Sequence, residues 1–198
     1  MIANTEDPRV KRSRQLIKDA FMALIMERDF ESITVKDIAE RATMNRATFY
    51  AHYVDKYMLL EVMFLELFEQ QLAVQKMDHS TFNTDTLERL IMAVCNFFTS
   101  VKIGCHKISS SVMSLMEEKI ISRLAQVIEG IMEQNTGAGG AASEENKLTV
   151  IMLSWSIYGA ALQWSRSSSL SMEALAAQAT AGILNGAGHL CGNTENKK

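Results

Sequence analysis

The chain has 198 residues, 47% hydrophobic and 22% charged, with a formal net charge of −3. That length holds one large domain or two small ones, and the composition is ordinary for a soluble folded protein. An acidic total argues against indiscriminate coating of nucleic acid, and three cysteines at unrelated spacings point to reduced thiols of a cytosol, not a disulfide framework.

Charge is unevenly placed. Residues 1–56 hold ten Lys/Arg against nine Asp/Glu, and the remainder holds ten against fourteen. Arg9, Lys11, Arg12 and Arg14 fall within six residues with no acid among them. A basic head on an acidic body suits DNA binding. The single proline, Pro8, leaves everything downstream free to be helical, and alternating Val/Ile/Thr runs are missing. The expected fold is all-α, with about nine helices. No apolar run approaches the ~18 residues of a membrane span, and no apolar signal segment follows the start, so the expectation is a cytoplasmic protein without membrane contact. Cys105–His106 and His189-x-Cys191 lack the paired spacing of a zinc site, so no metal is expected. His52, His79, His106 and His189 are scattered over different elements and supply no convergent acid/base set. No enzyme and no cofactor are expected.

In chain order, polar residues 1–8 precede a predicted helix over Arg9–Arg28, with Leu16, Ile17, Ala20, Phe21, Leu24 and Ile25 as its apolar stripe. Its basic first turn opposes the helix dipole, a cost easier to understand if phosphates sit nearby. Phe30 and Ile33 in the following link are placed to plug the base of a small head. Thr34 suits the N-cap of a second helix, accepting from the Asp37 backbone N–H, and Val35, Ile38, Ala39 and Ala42 give that helix a narrow apolar face. Thr43 and Met44 break the pattern, and Asn45 caps a third helix from Arg46 that turns Phe49 and Tyr53 inward. Arg46, Ala47, Thr48, Tyr50 and His52 are left facing away from the core. An Arg, a hydroxyl, a phenol and an imidazole within seven residues, with no acid, are groups that hydrogen-bond phosphates and base edges.

The segment ITVKDIAERATMNRATFYAHYVDKYMLL resembles the DNA-binding signature of the tetracycline-repressor-like (TetR) family of bacterial transcription regulators. With the helix ending near Arg28 and the linking Phe30 and Ile33, the likeness covers the first quarter to third of the chain. One departure is visible. The turn often carries Gly after the Ala, where this chain has Thr43, so the turn must close without a left-handed residue there or bear strain. The resemblance implies DNA contacts from Thr34, Lys36, Arg46, Ala47, Thr48, Tyr50, His52 and Lys56. Arg46, Ala47 and Thr48 fall on the base-reading turn, while Tyr50, His52 and Lys56 fall on phosphate positions.

Beyond the head, Asp55 is placed to cap a long, nearly all-round apolar helix over Lys56–Lys76. A capping-box variant at Asp85–Glu88 opens a fifth helix. Gly104 punctuates, and a sixth helix over Cys105–Met116 and a seventh over Glu117–Gln134 follow. The NTGAGGAAS stretch at 135–143 is a Gly/Ala loop. An eighth helix spans Glu145–Ser167 and a ninth Ser171–Leu190, the last rich in Ala and Gly that allow close helix approach. The expected domains are residues 1–55, a helix-turn-helix DNA-binding domain, and residues 56–198, a helical ligand-binding and dimerisation domain linked to the head by the fourth helix. The resemblance implies double-stranded operator DNA as partner, a homodimer through the eighth and ninth helices, and a small-molecule effector. Met and aromatic content suggests an apolar or amphipathic effector, with Phe98, Met113, Met116, Trp155 and Tyr158 as candidate lining and His106 and Gln163 as polar anchors. The expected function is a sequence-specific regulator, a repressor released from its operator by that ligand. The alternative is a helical DNA-binding or interaction protein with no effector.

Overall fold

The structure is a computed structural model that describes residues 7–76, 82–104, 108–136 and 144–185. Every regular element in this range is helical: α1 (Pro8–Glu27), a 3-10 turn (Phe30–Ser32), α2 (Val35–Arg41), α3 (Arg46–Tyr50), α4 (Lys56–Val74), α5 (Thr84–Gly104), α6 (Ser110–Thr136), α7 (Glu144–Ser167) and α8 (Met172–Asn185). That is eight helices where nine were expected. The expected break at Met116–Glu117 does not occur, because no Gly or Pro interrupts the apolar stripe there, and one 27-residue helix, α6, replaces the sixth and seventh. The start of α5 also differs. Asn83 accepts from the Thr86 backbone N–H at 2.9 Å, so the cap lies two residues before Asp85. None of the described helices is long and apolar enough to cross a membrane.

The residues divide into two compact units, Met1–Glu66 with Ser100–Lys119 and Leu67–Thr99 with Ile120–Lys198. In the first, Ile17, Ala20, Phe21, Leu24 and Ile25 of α1 are buried at helical spacing, with Phe30, Ile33, Ile38, Ala39, Phe49 and Tyr53 closing the same core. Phe30 packs edge-on against Phe21 and Tyr57, centroids 6.1 and 5.1 Å apart, so the linker is part of the core. Each fully buried large side chain contributes up to about 1.5–3 kcal/mol. Salt links fasten α2 to the end of α1: the Arg41 guanidinium forks onto the Glu27 carboxylate at 2.8 and 2.6 Å, and Arg28 lies 3.3 Å from Asp37. The basic first turn of α1 has compensation that the sequence reading overlooked. Asp7 accepts from the Arg9 backbone N–H at 2.8 Å and Pro8 occupies the first helical turn, a cap-plus-proline start that needs no phosphate to explain it.

The second unit is built on α5, α6, α7 and α8. Leu87, Leu90, Ile91 and Val94 of α5 and Leu124, Ile128 and Ile131 of α6 are buried. An edge-on aromatic ladder runs Phe68–Phe97–Phe98–Tyr158, with successive centroids 5.9, 5.6 and 5.3 Å apart. Cys95 sits in this core, where burial pushes its thiol up to about 12, so it remains a neutral small hydrophobe. On α7, Ile157, Tyr158 and Ala161 are buried, while Leu148, Ile151, Met152 and Trp155 stand exposed along one side.

Candidate nucleic-acid interface

The turn between α2 and α3 is fixed from both ends by local chemistry. Thr34 and Asp37 form a reciprocal capping box: the Asp37 backbone N–H donates to the Thr34 hydroxyl oxygen, and the Thr34 backbone N–H donates to the Asp37 carboxylate. The Thr34 hydroxyl donates to that carboxylate too, at 2.6 Å. These bonds from Thr34, with Arg28 alongside, hold the Asp37 carboxyl down at about 2. At the other end, Met44 N–H donates to Ala39 C=O at 2.8 Å and Thr43 N–H to Glu40 C=O at 3.0 Å. This is a Schellman closure, and it requires a left-handed residue at Thr43. Thr43 adopts φ 56°, so the turn keeps its geometry and carries the strain. Asn45 then starts α3, its side-chain oxygen accepting from the Ala47 N–H at 3.0 Å.

This frame presents Arg46, Ala47 and Tyr50 to solvent and leaves Thr48 half-buried. Tyr50 is 57% exposed and stands edge-on to buried Phe49, which fixes the ring while the hydroxyl stays outside. Lys36 is exposed on α2, 3.7 Å from Glu40 one turn on, a loose surface pair that a phosphate can displace. Thr34 is engaged in its capping box.

Two of the expected phosphate contacts are held differently. Lys56 does not reach outward. Its ammonium donates to the carbonyls of Phe30, Glu31 and Ile33 at 2.8, 2.9 and 2.8 Å, and it lies 4.5 Å from the Phe30 ring centroid. An ammonium has three N–H donors, and all three are committed, so none remains for a phosphate in this conformation. Here Lys56 fastens the start of α4 to the 3-10 turn, and it reaches a phosphate only by giving up a carbonyl. His52 is half-buried against α1, with Nε2 2.7 Å from the Ser13 hydroxyl. The Ser13 hydroxyl donates to the Val10 carbonyl at 3.0 Å, so toward His52 its oxygen accepts and Nε2 carries the ring proton. A phosphate reaches this nitrogen only by displacing Ser13.

Around His52 a cavity of about 360 Å³ is lined by Lys11, Arg14, Lys18, Tyr53 and Glu66, among others. Lys18 pairs with Glu66 there. Sequence reasoning treated Ser13 and Arg14 only as part of a basic run. A Ser one turn from a helix start gives no signal of a partner 39 residues away.

The candidate effector residues are distributed over both units. Met113 and Met116 lie in the first unit, half-buried and buried respectively. Phe98 and Tyr158 belong to the ladder of the second unit. Trp155 and Gln163 are exposed on α7, and Gln163 donates to the Ser167 hydroxyl at 3.1 Å. His106 lies outside the described residues. Among those described, no group of His, Cys, Asp and Glu is arranged to hold a metal ion.

Residues 17–63 match the sequence profile of the bacterial regulatory proteins of the tetR family. Over 76 residues the chain is 37% identical to the uncharacterized HTH-type transcriptional regulator YxbF of Bacillus subtilis (strain 168), a match covering 38% of this chain and 19% of that protein. Among solved structures, the dihydroxyacetone kinase operon activator DhaS is similar with a TM-score of 0.54 at 16% identity, over 87% of this chain and 94% of that one. Salmonella enterica GusR is similar with a TM-score of 0.50 at 19% identity, over 92% and 100%. At these identities the structural likeness is one of fold, and the segment match carries the relationship. Residues 17–63 are similar to the DNA-binding segment of the tetR-family bacterial regulatory proteins, and this segment includes α2 and α3.

Proposed function

We propose that this protein is a sequence-specific transcriptional repressor that binds operator DNA as a homodimer and is released by an apolar or amphipathic small molecule. The observation that carries the reading is the surface of α3: Arg46, Ala47 and Tyr50 are exposed on a helix whose cap and preceding turn are rigidly closed, with no acid among them. Arg46 is suited to bidentate contact with guanine, Ala47 and the Thr48 methyl to a thymine methyl, and Tyr50 and Lys36 to phosphates. Thr34 and His52 reach DNA only after giving up the partners they hold here. In this reading residues 1–55 are the DNA-binding domain and residues 56–198 carry effector binding and dimerisation.

Regulators of this family act as dimers, and α7 and α8 are the surface we assign to that contact. Leu148, Ile151, Met152 and Trp155 form an unpartnered apolar strip on α7, and Leu184 is exposed on α8. A Cβ added at Gly159 or Gly182 meets nothing within 4 Å, which leaves room for close approach of a second copy. For the effector, the aromatic ladder ending at Phe98 and Tyr158 supports an apolar ligand class. By linkage, operator DNA must weaken the effector by the factor by which the effector weakens DNA.

The test is selection of bound duplexes from random DNA, followed by binding of point variants to the recovered site. Arg46→Ala should relax base preference at one position per half-site and cost ~1–3 kcal/mol. Tyr50→Phe should weaken all sequences alike. A uniform loss for Arg46→Ala with preference intact removes it from base reading, and recovery of no consensus sinks the regulator reading.

A further inference from the structure

His52 is bound to α1 through Nε2, while its other ring nitrogen sits where a second proton is poorly accommodated. Nε2–H donates to Ser13, whose own proton is committed to Val10, and this bond joins the end of the recognition segment to the early turns of α1. Nδ1 is shielded from solvent and has no hydrogen-bond partner among the described residues. A second proton on the ring must go to Nδ1, where it would create a buried N–H with no acceptor, a costly group to leave unmade. The charges around the ring do not help. From α1 it faces the cations Lys11, Arg14 and Lys18, and from α4 a single carboxylate, Glu66, which Lys18 already pairs. The neighbouring Tyr53 hydroxyl is also buried and without a partner among the described residues, so it is not bonded to Nδ1. Turned out to solvent, the same imidazolium would meet none of these penalties.

We infer that His52 is a proton-operated latch: the neutral ring is held inward on Ser13, and protonation frees it to swing out and donate to a DNA phosphate, so that operator binding takes up protons. The inference rests on the reading of the protein as a DNA-binding regulator. Burial, then the Arg14 charge, lowers the pKa of the inward ring from its ordinary 6.5, in agreement with the geometry. The sign follows. A phosphate raises the His52 pKa in the complex above its value in the free protein, so the complex binds the extra proton and affinity rises as pH falls. The rise reaches at most about tenfold per pH unit for each His52 and levels off once both states are protonated.

The experiment measures affinity of the full chain for the duplex recovered by selection, between about pH 7.5 and pH 5.5, where Asp and Glu remain ionised. Wild type should tighten by about tenfold or more across this range, and His52→Gln should be nearly flat. Ser13→Ala removes the inward partner while favouring the helix, so it should bind DNA several-fold more tightly at neutral pH and show a weaker pH dependence. Ring nitrogen NMR of the free protein gives a second readout that needs no DNA: His52 should be the Nε2–H tautomer titrating below 6.5, and Ser13→Ala should raise that pKa. Equal pH dependence in wild type and His52→Gln overturns the proposal, as does a His52 pKa that Ser13→Ala leaves unchanged. If wild type binds no duplex specifically at any pH, the regulator reading fails and the DNA step of the latch fails with it, while the NMR arm still judges the Ser13 bond.

Discussion

Thr43 shows how much a single position concedes to the shape of the turn. A β-branched residue in the left-handed region is held there by two backbone hydrogen bonds that the closing turn of α2 requires. The left-handed conformation costs an L-residue ~1–2 kcal/mol, and glycine is free of it but gives back part of the gain through a more disordered unfolded chain. Thr43→Gly should therefore stabilise the fold by ~0.5–1 kcal/mol in denaturant unfolding. A destabilised variant would mean that the Thr43 side chain makes a contact worth more than the strain. At this scale the sequence was legible wherever the partner is local. The Thr34 and Asn45 caps and the Asp55 bond to the Met58 N–H are all found as expected, because a cap and its target lie within four residues. It was illegible for Ser13, Lys56 and His52. Their partners lie 23 to 39 residues away, and their residue types are equally at home on a phosphate.

At the scale of elements, the misreadings share a cause. Periodicity located the α1 stripe at Ile17, Ala20, Phe21, Leu24 and Ile25, with Leu16 left exposed, but a stripe does not say where a helix is interrupted. The acidic Glu117–Glu118 pair resembles a first helical turn and sits in mid-helix on α6. Before α6, Ser109 hydrogen-bonds the Glu31 carboxylate, which draws that carboxyl below its usual range. Glu31 is the middle residue of the 3-10 turn that Lys56 holds, so this short element is fastened by side chains from two helix starts. Burial first, offset by Glu31 and Asp37, lowers the Lys56 pKa. Lys56→Ala orphans three carbonyls and should cost ~1–3 kcal/mol in stability. Arginine should not rescue it, since a planar fork cannot point three donors at three converging oxygens. The salt slope of DNA binding should stay unchanged in Lys56→Ala. A slope reduced by about one unit, the mark of a lost phosphate contact, would return Lys56 to the DNA surface.

For the whole molecule, the exposed strip on α7 bears on assembly. Leu148, Ile151, Met152 and Trp155 recur at helical spacing, but that spacing does not say whether their face points to the chain's own core or to another chain, because both need the same periodicity. In the described structure Ile157, Tyr158 and Ala161 fill the inward side, and Trp155 is 53% exposed on the other. A contiguous apolar strip of this kind is a poor surface for a monomer in water. In the proposed homodimer an isologous contact would cover it with the same strip of a second copy. Trp155→Arg should therefore give monomers in sedimentation equilibrium, with helicity retained, since nothing in the chain's own core is lost. Gly182→Leu is the companion variant. A Cβ added at Gly182 meets nothing within 4 Å in the chain itself, so a loss of dimer points to a partner that needed the gap, at ~1–3 kcal/mol of overpacking. Both should lose cooperative binding to a two-half-site duplex while keeping weak binding to one half-site. Dimers that persist in both variants would move the interface off α7 and α8, and the apolar strip would then need another occupant.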